Sequence, residues 1–319
     1  MCNMLKEPQV VAEAREAQKG WNWFLEFIAF IGVYYVSGIA LMIVAIPAGM
    51  VMMLTNADYQ EYQSALAAGD QAKIMEISSQ ISGSDIAMII SLIAEIMMIL
   101  VVILFCKLLQ KRRVSTLGFT KNGAVKEYFV GLLTGFVAFS ATVLICVLTG
   151  ALKFEGVSAG FTPGLFILYV LGFMIQGMAE EVLCRGYFMV SFARKYPIVA
   201  AILANALFFA ALHLSNPGIT PLAFINLALF GIFASVYFIK RGNIWGIGAF
   251  HSIWNLVQGN FYGIKVSGLT TRCTVFETAF VDGKELLNGG SFGMEGGIAT
   301  TLVLVVGIIV LCLMKKKEA

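Results

Sequence analysis

The chain has 319 residues, of which 59% are hydrophobic and 13% are charged. Soluble domains contain about 45–50% apolar and about 25% charged residues, so this composition excludes a soluble domain and predicts a polytopic membrane protein. The formal net charge of +3 says little by itself, and we expect the partners to be a lipid bilayer and a substrate, not nucleic acid.

Residues 1–20 mix basic and acidic side chains and lack the apolar core and small-residue cleavage site of a signal peptide. We therefore predict a cytoplasmic N-terminal segment. The six cysteines are scattered and form no metal-like spacing, so we expect no disulfide framework.

A membrane-spanning helix needs about 20 largely apolar residues. Eight segments approximate this length, which predicts an all-α fold of eight transmembrane helices around a polar intramembrane cavity. No internal repeat is evident, so residues 1–319 are read as one domain. The eight segments are Trp21–Leu54, Ile86–Leu109, Tyr128–Leu152, Leu165–Ser191, Ile198–Leu214, Pro221–Ile239, Asn243–Tyr262 and Ile298–Met314.

Lysine and arginine concentrate on the cytoplasmic side of membrane proteins. With a cytoplasmic N-terminus, 17 of the 22 basic residues fall in the inner segments. This distribution predicts that both termini are cytoplasmic, with a tail at 315–319. The two larger outer loops, Thr55–Asp85 and Gly263–Gly297, are expected to cap the outer face without chemistry, the first as a surface helix.

The fourth predicted helix carries three charged residues in a short stretch. Residues four apart share a helical face, so Glu181 and Arg185 are expected to pair, which lowers the cost of burying both. A structural ion pair accounts for these two residues. It leaves Glu180 on another face without a local partner, where a carboxyl group suits general acid or base chemistry.

The only two histidines follow on the fifth and seventh predicted helices. His213 lies four residues after Phe209, whose ring could restrict the imidazole, although a lone histidine could equally bond to a backbone carbonyl. His251 lies four residues before Asn255, and this pair could donate two hydrogen bonds to a developing oxyanion. The alternative for the second pair is interhelical hydrogen bonding, which is common for histidine and asparagine in membranes.

The depths of these groups agree. At a rise of about 1.5 Å per residue, Glu180, His213, His251 and Asn255 lie roughly 15–24 Å from the inner boundary. Ionisable groups inside the bilayer are functional candidates by default. A joint site on three helices explains the common depth better than independent structural roles.

Three further residues of the predicted helices are interpreted conservatively. Glu26 lies near the inner interface, where we expect it to be solvated. Glu95 lies deeper and could line a cavity, but it has no companion motif, so both acids are taken as structural. Cys184 lies one turn from Glu180, and a buried thiol is usually inert, which disfavours a cysteine hydrolase.

The three patterns together resemble the CPBP intramembrane protease family, also called the Abi or CAAX-protease family. Its signature is EExxxR, FxxxH and HxxxN on successive membrane helices. Glu180–Arg185, Phe209–His213 and His251–Asn255 match this signature at every position and in order. The region of resemblance covers about residues 165–262, the expected catalytic helices.

The resemblance implies a peptidase that acts at membrane depth. Glu180 would be the general base that activates water, and His213 would help to position that water. His251 and Asn255 would form the oxyanion hole. The expected supporting residues are Glu181, Arg185 and Phe209.

Metal use stays open at this stage. Glu180, His213 and His251 form a ligand set that could hold zinc with one position open for water. A metal-free glutamate mechanism is also consistent with the family, and it leaves His251 available as an oxyanion donor. We favour the route without a cofactor.

Two functions of different classes follow. The first is an intramembrane endopeptidase of a bacterial plasma membrane, acting on a leader or pheromone-type peptide or a membrane-anchored protein. The alternative is a non-catalytic membrane partner of the same family, such as a bacteriocin immunity protein or a modulator of a sensor kinase. The intact signature favours the enzyme, and the pattern specifies no oligomeric state.

Overall fold

The structure is a computed structural model that describes residues 8–314. The predicted tail 315–319 and the first seven residues of the predicted segment 1–20 lie outside this range. The described chain is mostly helical. Its helices are α1 (Gln9–Ala17), α2 (Trp23–Thr55), α3 (Tyr59–Ala68), α4 (Gln71–Ser82), α5 (Asp85–Ala94), α6 (Ile96–Leu108), α7 (Ala124–Leu148), α8 (Pro163–Glu181), α9 (Val190–Ala193), α10 (Ile198–Leu212), α11 (Pro221–Arg241), α12 (Trp245–Leu256), α13 (Glu285–Asn288) and α14 (Ile298–Leu313).

All eight predicted segments are helical, and five of them are long and apolar enough to cross a membrane. These five are Trp23–Thr55, Asp85–Leu108, Ala124–Leu148, Pro163–Ala193 and Pro221–Arg241. The segments Ile198–Leu212 and Ile298–Leu313 form shorter apolar helices. The seventh predicted segment forms α12, which continues as a π-helical turn over Val257–Phe261. Five spans therefore have the required length, and a count of eight stays a prediction.

The predicted all-α character holds for most of the described chain, which also contains one small two-stranded sheet. Strand β1 (Leu152–Val157) pairs antiparallel with β2 (Phe276–Phe280), with Leu152 opposite Phe280. Predicted helix Tyr128–Leu152 ends at Leu148 because Gly150 adopts a left-handed conformation with φ of 67°, which a glycine tolerates and which turns the chain.

The first outer loop differs in detail from its prediction. Residues 55–85 form two helices, α3 and α4, joined at Gly69, which is left-handed with φ of 68°. These helices are amphipathic and polar, and most of their side chains are exposed. The loop thus covers the surface as expected, but with two helices in place of one.

Helix α12 lies at the centre of the bundle and packs most extensively against α7 and α8. Close approach depends on small residues. A Cβ atom added to Gly177 on α8 would lie 2.5 Å from the backbone nitrogen of Ser252 on α12. Small residues at such crossings let membrane helices approach through their backbones. This crossing determines the spacing between Glu180 and His251.

Helix α2 lies at the periphery. Apolar side chains along it are widely exposed, including Ile39 at 70% and Ile43 at 68%. A contiguous apolar surface of this size on a long helix is typical of a lipid-facing element.

The end of the bundle where α2 begins contains a buried ion pair that contradicts the prediction for Glu26. This carboxylate is fully buried, accepts a hydrogen bond from the backbone N–H of Trp21, and contacts Nη2 of Arg194 at 3.1 Å. Glu26 is therefore not solvated. Its burial is compensated by an arginine that lies 168 residues away in sequence, a partner that helical spacing does not reveal.

A second buried arginine braces the segment that follows the acidic motif. Arg112 donates to the carbonyl oxygen of Gly186 at 2.9 Å and to Oγ of Ser191 at 2.8 Å. Burial lowers the pKa of this guanidinium to about 10. The contacts fix the π-helical turn Val182–Met189, whose wider winding leaves backbone carbonyls in need of donors.

Candidate functional site

The paired charges of the fourth predicted helix lie as expected. Nη1 of Arg185 contacts Oε1 of Glu181 at 2.9 Å, and both side chains are fully buried. The guanidinium also stacks over the ring of Phe209, with 4.5 Å between its carbon and the ring centroid. Arg185 thereby links α8 to α10, and this ring contact supplements the ion pair.

Glu181 has a second partner on α12. Nδ1 of His251 lies 2.9 Å from the same Oε1 atom that accepts from Arg185. One carboxylate oxygen therefore joins a guanidinium and an imidazole from different helices. This contact orients the histidine ring and fixes α8 against α12.

Glu180 points to the other face of α8, as its position in the helix requires. The expectation that it lacks a local partner is wrong, because Nε2 of Gln176 donates to its Oε1 at 2.7 Å. The glutamate side chain is 20% exposed, so it is accessible from the cavity described below. Its Oε2 lies 3.8 Å from Nε2 of His251, which is too long for a hydrogen bond.

Gln176 also organises Asn255. Its Oε1 accepts from Nδ2 of Asn255 at 2.9 Å, while its Nε2 serves Glu180. The glutamine therefore connects the predicted base with the predicted oxyanion donor across two helices. Sequence analysis missed this role, although the i, i+4 spacing of Gln176 and Glu180 was a usable signal.

His213 lies immediately after the last residue of α10. Its Nδ1 lies 2.8 Å from the backbone carbonyl of Phe209. Because a carbonyl oxygen only accepts, Nδ1 carries the hydrogen, and Nε2 of the neutral ring is left as an acceptor. The ring of Phe209 lies 4.9 Å from that of His213 and 5.9 Å from that of His251 between centroids. The aromatic ring thus contacts both imidazoles.

These side chains line one cavity of about 260 Å³. Its wall is largely apolar, with polar groups contributed by α8, the end of α10, α12 and several other segments. The loop 263–297, which was predicted to cap the outer face without chemistry, also contributes to the cavity wall through Ser267, Thr271 and Glu295. The site residues at the wall are Gln176, Glu180, Phe209, His213, His251 and Asn255, while Glu181 and Arg185 lie behind them.

The side chains that were considered as zinc ligands are not arranged to bind one metal ion together. Within residues 8–314, no three histidine, cysteine, aspartate or glutamate side chains are placed to hold a metal ion together. Glu180 and His251 approach each other, but His213 does not complete a ligand set with them. The preference for a metal-free reaction stays a prediction.

Cys184 is fully enclosed and lies within the π-helical turn, away from the cavity wall. A thiol in apolar surroundings is a poor nucleophile. Its position agrees with the interpretation of this residue as an inert apolar side chain.

The fold and the site define a class: a helical membrane protein with a carboxylate, two imidazoles and an amide around a shared cavity. Residues 162–257 match the family model described as Type II CAAX prenyl endopeptidase Rce1-like. The matched segment begins just before α8, ends just after α12, and contains every motif residue. This segment is therefore similar to the CAAX protease family that the motifs indicated, which is a family of proteases.

No curated protein and no solved structure shows significant similarity to the chain. Helices α1 to α7 and the outer loop after α12 lie outside the matched segment.

Proposed function

We propose that the chain is an intramembrane endopeptidase that cleaves a membrane-anchored protein or a leader or pheromone-type peptide by means of water activated by Glu180. The observation that carries this proposal is the shared cavity. Glu180 from α8, His213 from the end of α10, and His251 and Asn255 from α12 line the same 260 Å³ space. Such a space accepts a segment of peptide together with a water molecule.

Glu180 is suited to the role of general base. Its Oε1 is engaged by Gln176, which holds the carboxylate in one orientation. The other oxygen makes no hydrogen bond shorter than 3.5 Å to a described residue and is available to remove a proton from water. General base catalysis by a positioned carboxylate contributes about 10²–10⁴-fold to the rate.

His213 is suited to positioning that water. Because its Nδ1–H is committed to the Phe209 carbonyl, the unprotonated Nε2 can accept one hydrogen bond from a water molecule. Two acceptors, the Glu180 carboxylate and this imidazole nitrogen, would then orient both hydrogens of the water and aim its lone pair at the scissile carbonyl.

His251 and Asn255 are suited to stabilising the oxyanion. When Nδ1–H of His251 donates to Glu181, Nε2 can donate to an oxyanion only as an imidazolium. The carboxylates of Glu181 and Glu180 on its two sides balance that positive charge. Asn255 uses one amide hydrogen on Gln176 and has a second one for the oxyanion.

Glu181 and Arg185 would act as supporting residues. Their contacts fix the orientation of His251 and hold α8 in place beside α10 and α12. A carboxylate shared by an arginine and a histidine restricts both partners, which is the preorganisation that oxyanion stabilisation needs.

The decisive experiment compares wild type with Glu180→Gln in liposomes, using a quenched peptide library that includes apolar membrane-spanning sequences. Cleavage by wild type and a loss of at least about 10²-fold in the variant are expected. Glu76→Gln is the matched control, because Glu76 is an exposed residue of α4 that does not line the cavity. A well-folded Glu180→Gln protein that retains full biological activity would favour the alternative, a non-catalytic membrane partner.

The same proposal includes eight spans in a bacterial plasma membrane, with both termini cytoplasmic and the chain forming one domain. The basic residues that cluster in the inner segments support this orientation. Single cysteines introduced at Lys73 and Lys121 test it. An impermeant maleimide should label Lys73→Cys in intact cells and Lys121→Cys only after permeabilisation. The opposite pattern would contradict the orientation.

A further inference from the structure

A second carboxylate shares the cavity with Glu180. Glu95 lies at the one-residue break between α5 and α6, and its side chain lines the same space. It belongs to none of the three motifs and lies outside the segment that matches the family model. Its position is therefore a property of this chain that the motifs do not explain.

The Oε2 atom of Glu95 is buried and has no hydrogen-bond partner among the described residues. No lysine or arginine of residues 8–314 lines the cavity, so no cation there compensates a carboxylate at this position. An unpaired buried carboxylate is costly, whereas a carboxylic acid is neutral and can donate its proton.

Glu295, the third glutamate at the cavity wall, differs from Glu95 because its carboxylate accepts hydrogen bonds. Its Oε2 accepts from the backbone N–H and the hydroxyl of Ser267, both at 2.7 Å. Gln258 adds a longer contact at 3.4 Å. These donors favour a carboxylate that holds the outer loop in place. Of the three glutamates at the cavity wall, Glu95 is thus the one whose carboxyl group receives no hydrogen bond from a described residue.

The break in the helix also favours a function for Glu95. α5 ends at Ala94 and α6 begins at Ile96, within a stretch that is otherwise continuous and apolar enough to span a membrane. Interruptions of membrane helices are tolerated where they border a cavity. An ionisable residue at such a break is expensive to retain and is a candidate for proton transfer.

Peptide hydrolysis needs a proton at the departing nitrogen. The attacking water transfers a proton to Glu180 while the water oxygen bonds to the carbonyl carbon. The C–N bond then breaks readily only after the nitrogen is protonated. A single glutamate must both take and deliver that proton. Two carboxyl groups facing one cavity can divide the tasks between them.

We propose that Glu95 is a second catalytic residue, the general acid that protonates the leaving amine, in the reaction for which Glu180 is the base. This inference rests on the proposed endopeptidase function. The reaction starts with Glu180 ionised and Glu95 protonated. It ends with Glu180 protonated, Glu95 ionised, the peptide bond replaced by a carboxylic acid and an amine, and one water consumed. Transfer of a proton from Glu180 to Glu95 across the cavity restores the starting state.

The other titratable groups that face this space are Tyr34 from α2, His213, His251 and Glu295. Helix α2, which carries Tyr34, packs against α5 and α6, and α5 and α6 also pack against α8, which carries Glu180. The proposed acid and the proposed base therefore reach one cavity from different helices.

The test compares two leaving groups. A peptide that wild type cleaves in the library experiment is remade with a thioester in place of the scissile amide, because a thiolate departs without prior protonation. Glu95→Gln should lower kcat for the amide by about 10²-fold or more and change the thioester rate by less than about threefold. Glu180→Gln should abolish cleavage of both substrates.

Several outcomes overturn the inference. Equal losses for amide and thioester in Glu95→Gln would assign the residue a structural role, and an unchanged amide rate would assign it none. If Glu95→Gln does not fold, Glu95→Asp replaces it, because aspartate retains a carboxyl group. Glu95→Asp should lower turnover of the amide but not of the thioester. Equal losses for the two substrates in Glu95→Asp would also contradict the inference. Cleavage of both substrates by Glu180→Gln would instead refute the proposed function, independently of Glu95.

Discussion

Oε1 of Glu181 lies 2.9 Å from Nη1 of Arg185 and 2.9 Å from Nδ1 of His251. One oxygen thus connects a residue four positions along its own helix with a residue 70 positions away on α12. The first contact follows from helical periodicity, whereas the second exists only because α8 and α12 cross closely at Gly177. Together they make the orientation of the His251 ring dependent on an ion pair that does not itself face the cavity.

Arg185→Ala should destabilise the protein strongly. Removing one member of a buried ion pair leaves the other uncompensated and costs about 3–5 kcal/mol. Glu181 would keep only His251 as a partner. Thermal unfolding in detergent measures the effect, and Lys73→Ala, which breaks a solvent-exposed pair with Glu61, is the control expected to match wild type. A wild-type melting temperature for Arg185→Ala would contradict the role of the pair.

Asn255→Ala should reduce turnover more than binding. A hydrogen bond that forms only with the transition-state oxyanion lowers kcat by about 10²–10³-fold when it is lost and leaves KM nearly unchanged. His251→Ala should lower kcat at least as much, because it also removes a partner of Glu181. Steady-state kinetics with the cleaved peptide measure both. A raised KM with unchanged kcat would assign these residues to substrate binding.

Gln176→Leu should lower kcat by about 10–100-fold with an intact fold, since a poorly oriented base loses much of its effectiveness. Gln176 holds Oε1 of Glu180 and the amide of Asn255 at the same time. Gln176→Glu should be at least as damaging, because it places a second carboxylate beside Glu180. Gln80→Leu on exposed α4 is the control. Equal turnover in Gln176→Leu and wild type would show that the glutamine has no positioning role.

Gly177→Ala should disturb the crossing of α8 and α12. The new methyl group would lie 2.5 Å from the backbone nitrogen of Ser252, so the helices must separate. Overpacking of this kind costs about 1–3 kcal/mol, and activity should fall with stability because Glu180 and His251 move apart. Gly38→Ala is the matched control, since nothing lies within 4 Å of its added Cβ on exposed α2. Similar melting temperatures and activities for the two variants would contradict this account of the crossing.

Removal of metal should leave activity unchanged. The donors of Glu180, His213 and His251 form no common ligand set in the described chain, and the proposed steps use only protein groups and water. Dialysis against a zinc chelator followed by kinetic assay tests this expectation. Loss of activity that added zinc restores would favour the metal-dependent alternative.

Several features of the site follow directly from sequence. Periodicity identifies the eight apolar helices, and i, i+4 spacing pairs Glu181 with Arg185 and places Phe209 beside His213. The ordered motifs EExxxR, FxxxH and HxxxN indicate a family, and the model of a CAAX protease family matches the segment that contains them. Each of these signals is local, so it can be read from the sequence without knowing which helices are neighbours.

Other expectations fail for non-local reasons. The sequence predicts that Glu26 is solvated, but the fold buries it and places Arg194, 168 residues away in sequence, beside it. The outer loop 263–297 has no motif, yet it contributes strand β2 and part of the cavity wall. Glu95 has no companion in its own helix, and its relation to Glu180 depends on how α5 packs against α8.

The sequence alone determined that this chain is a helical membrane protein and predicted which polar residues lie at one depth, because helix formation and bilayer length act over short stretches of chain. The tertiary structure decided which of these residues meet. Only the packing of α8, α10 and α12 joins Glu181 to His251 and Gln176 to Asn255, because side-chain contacts between helices depend on crossing positions that residue spacing along the chain does not encode.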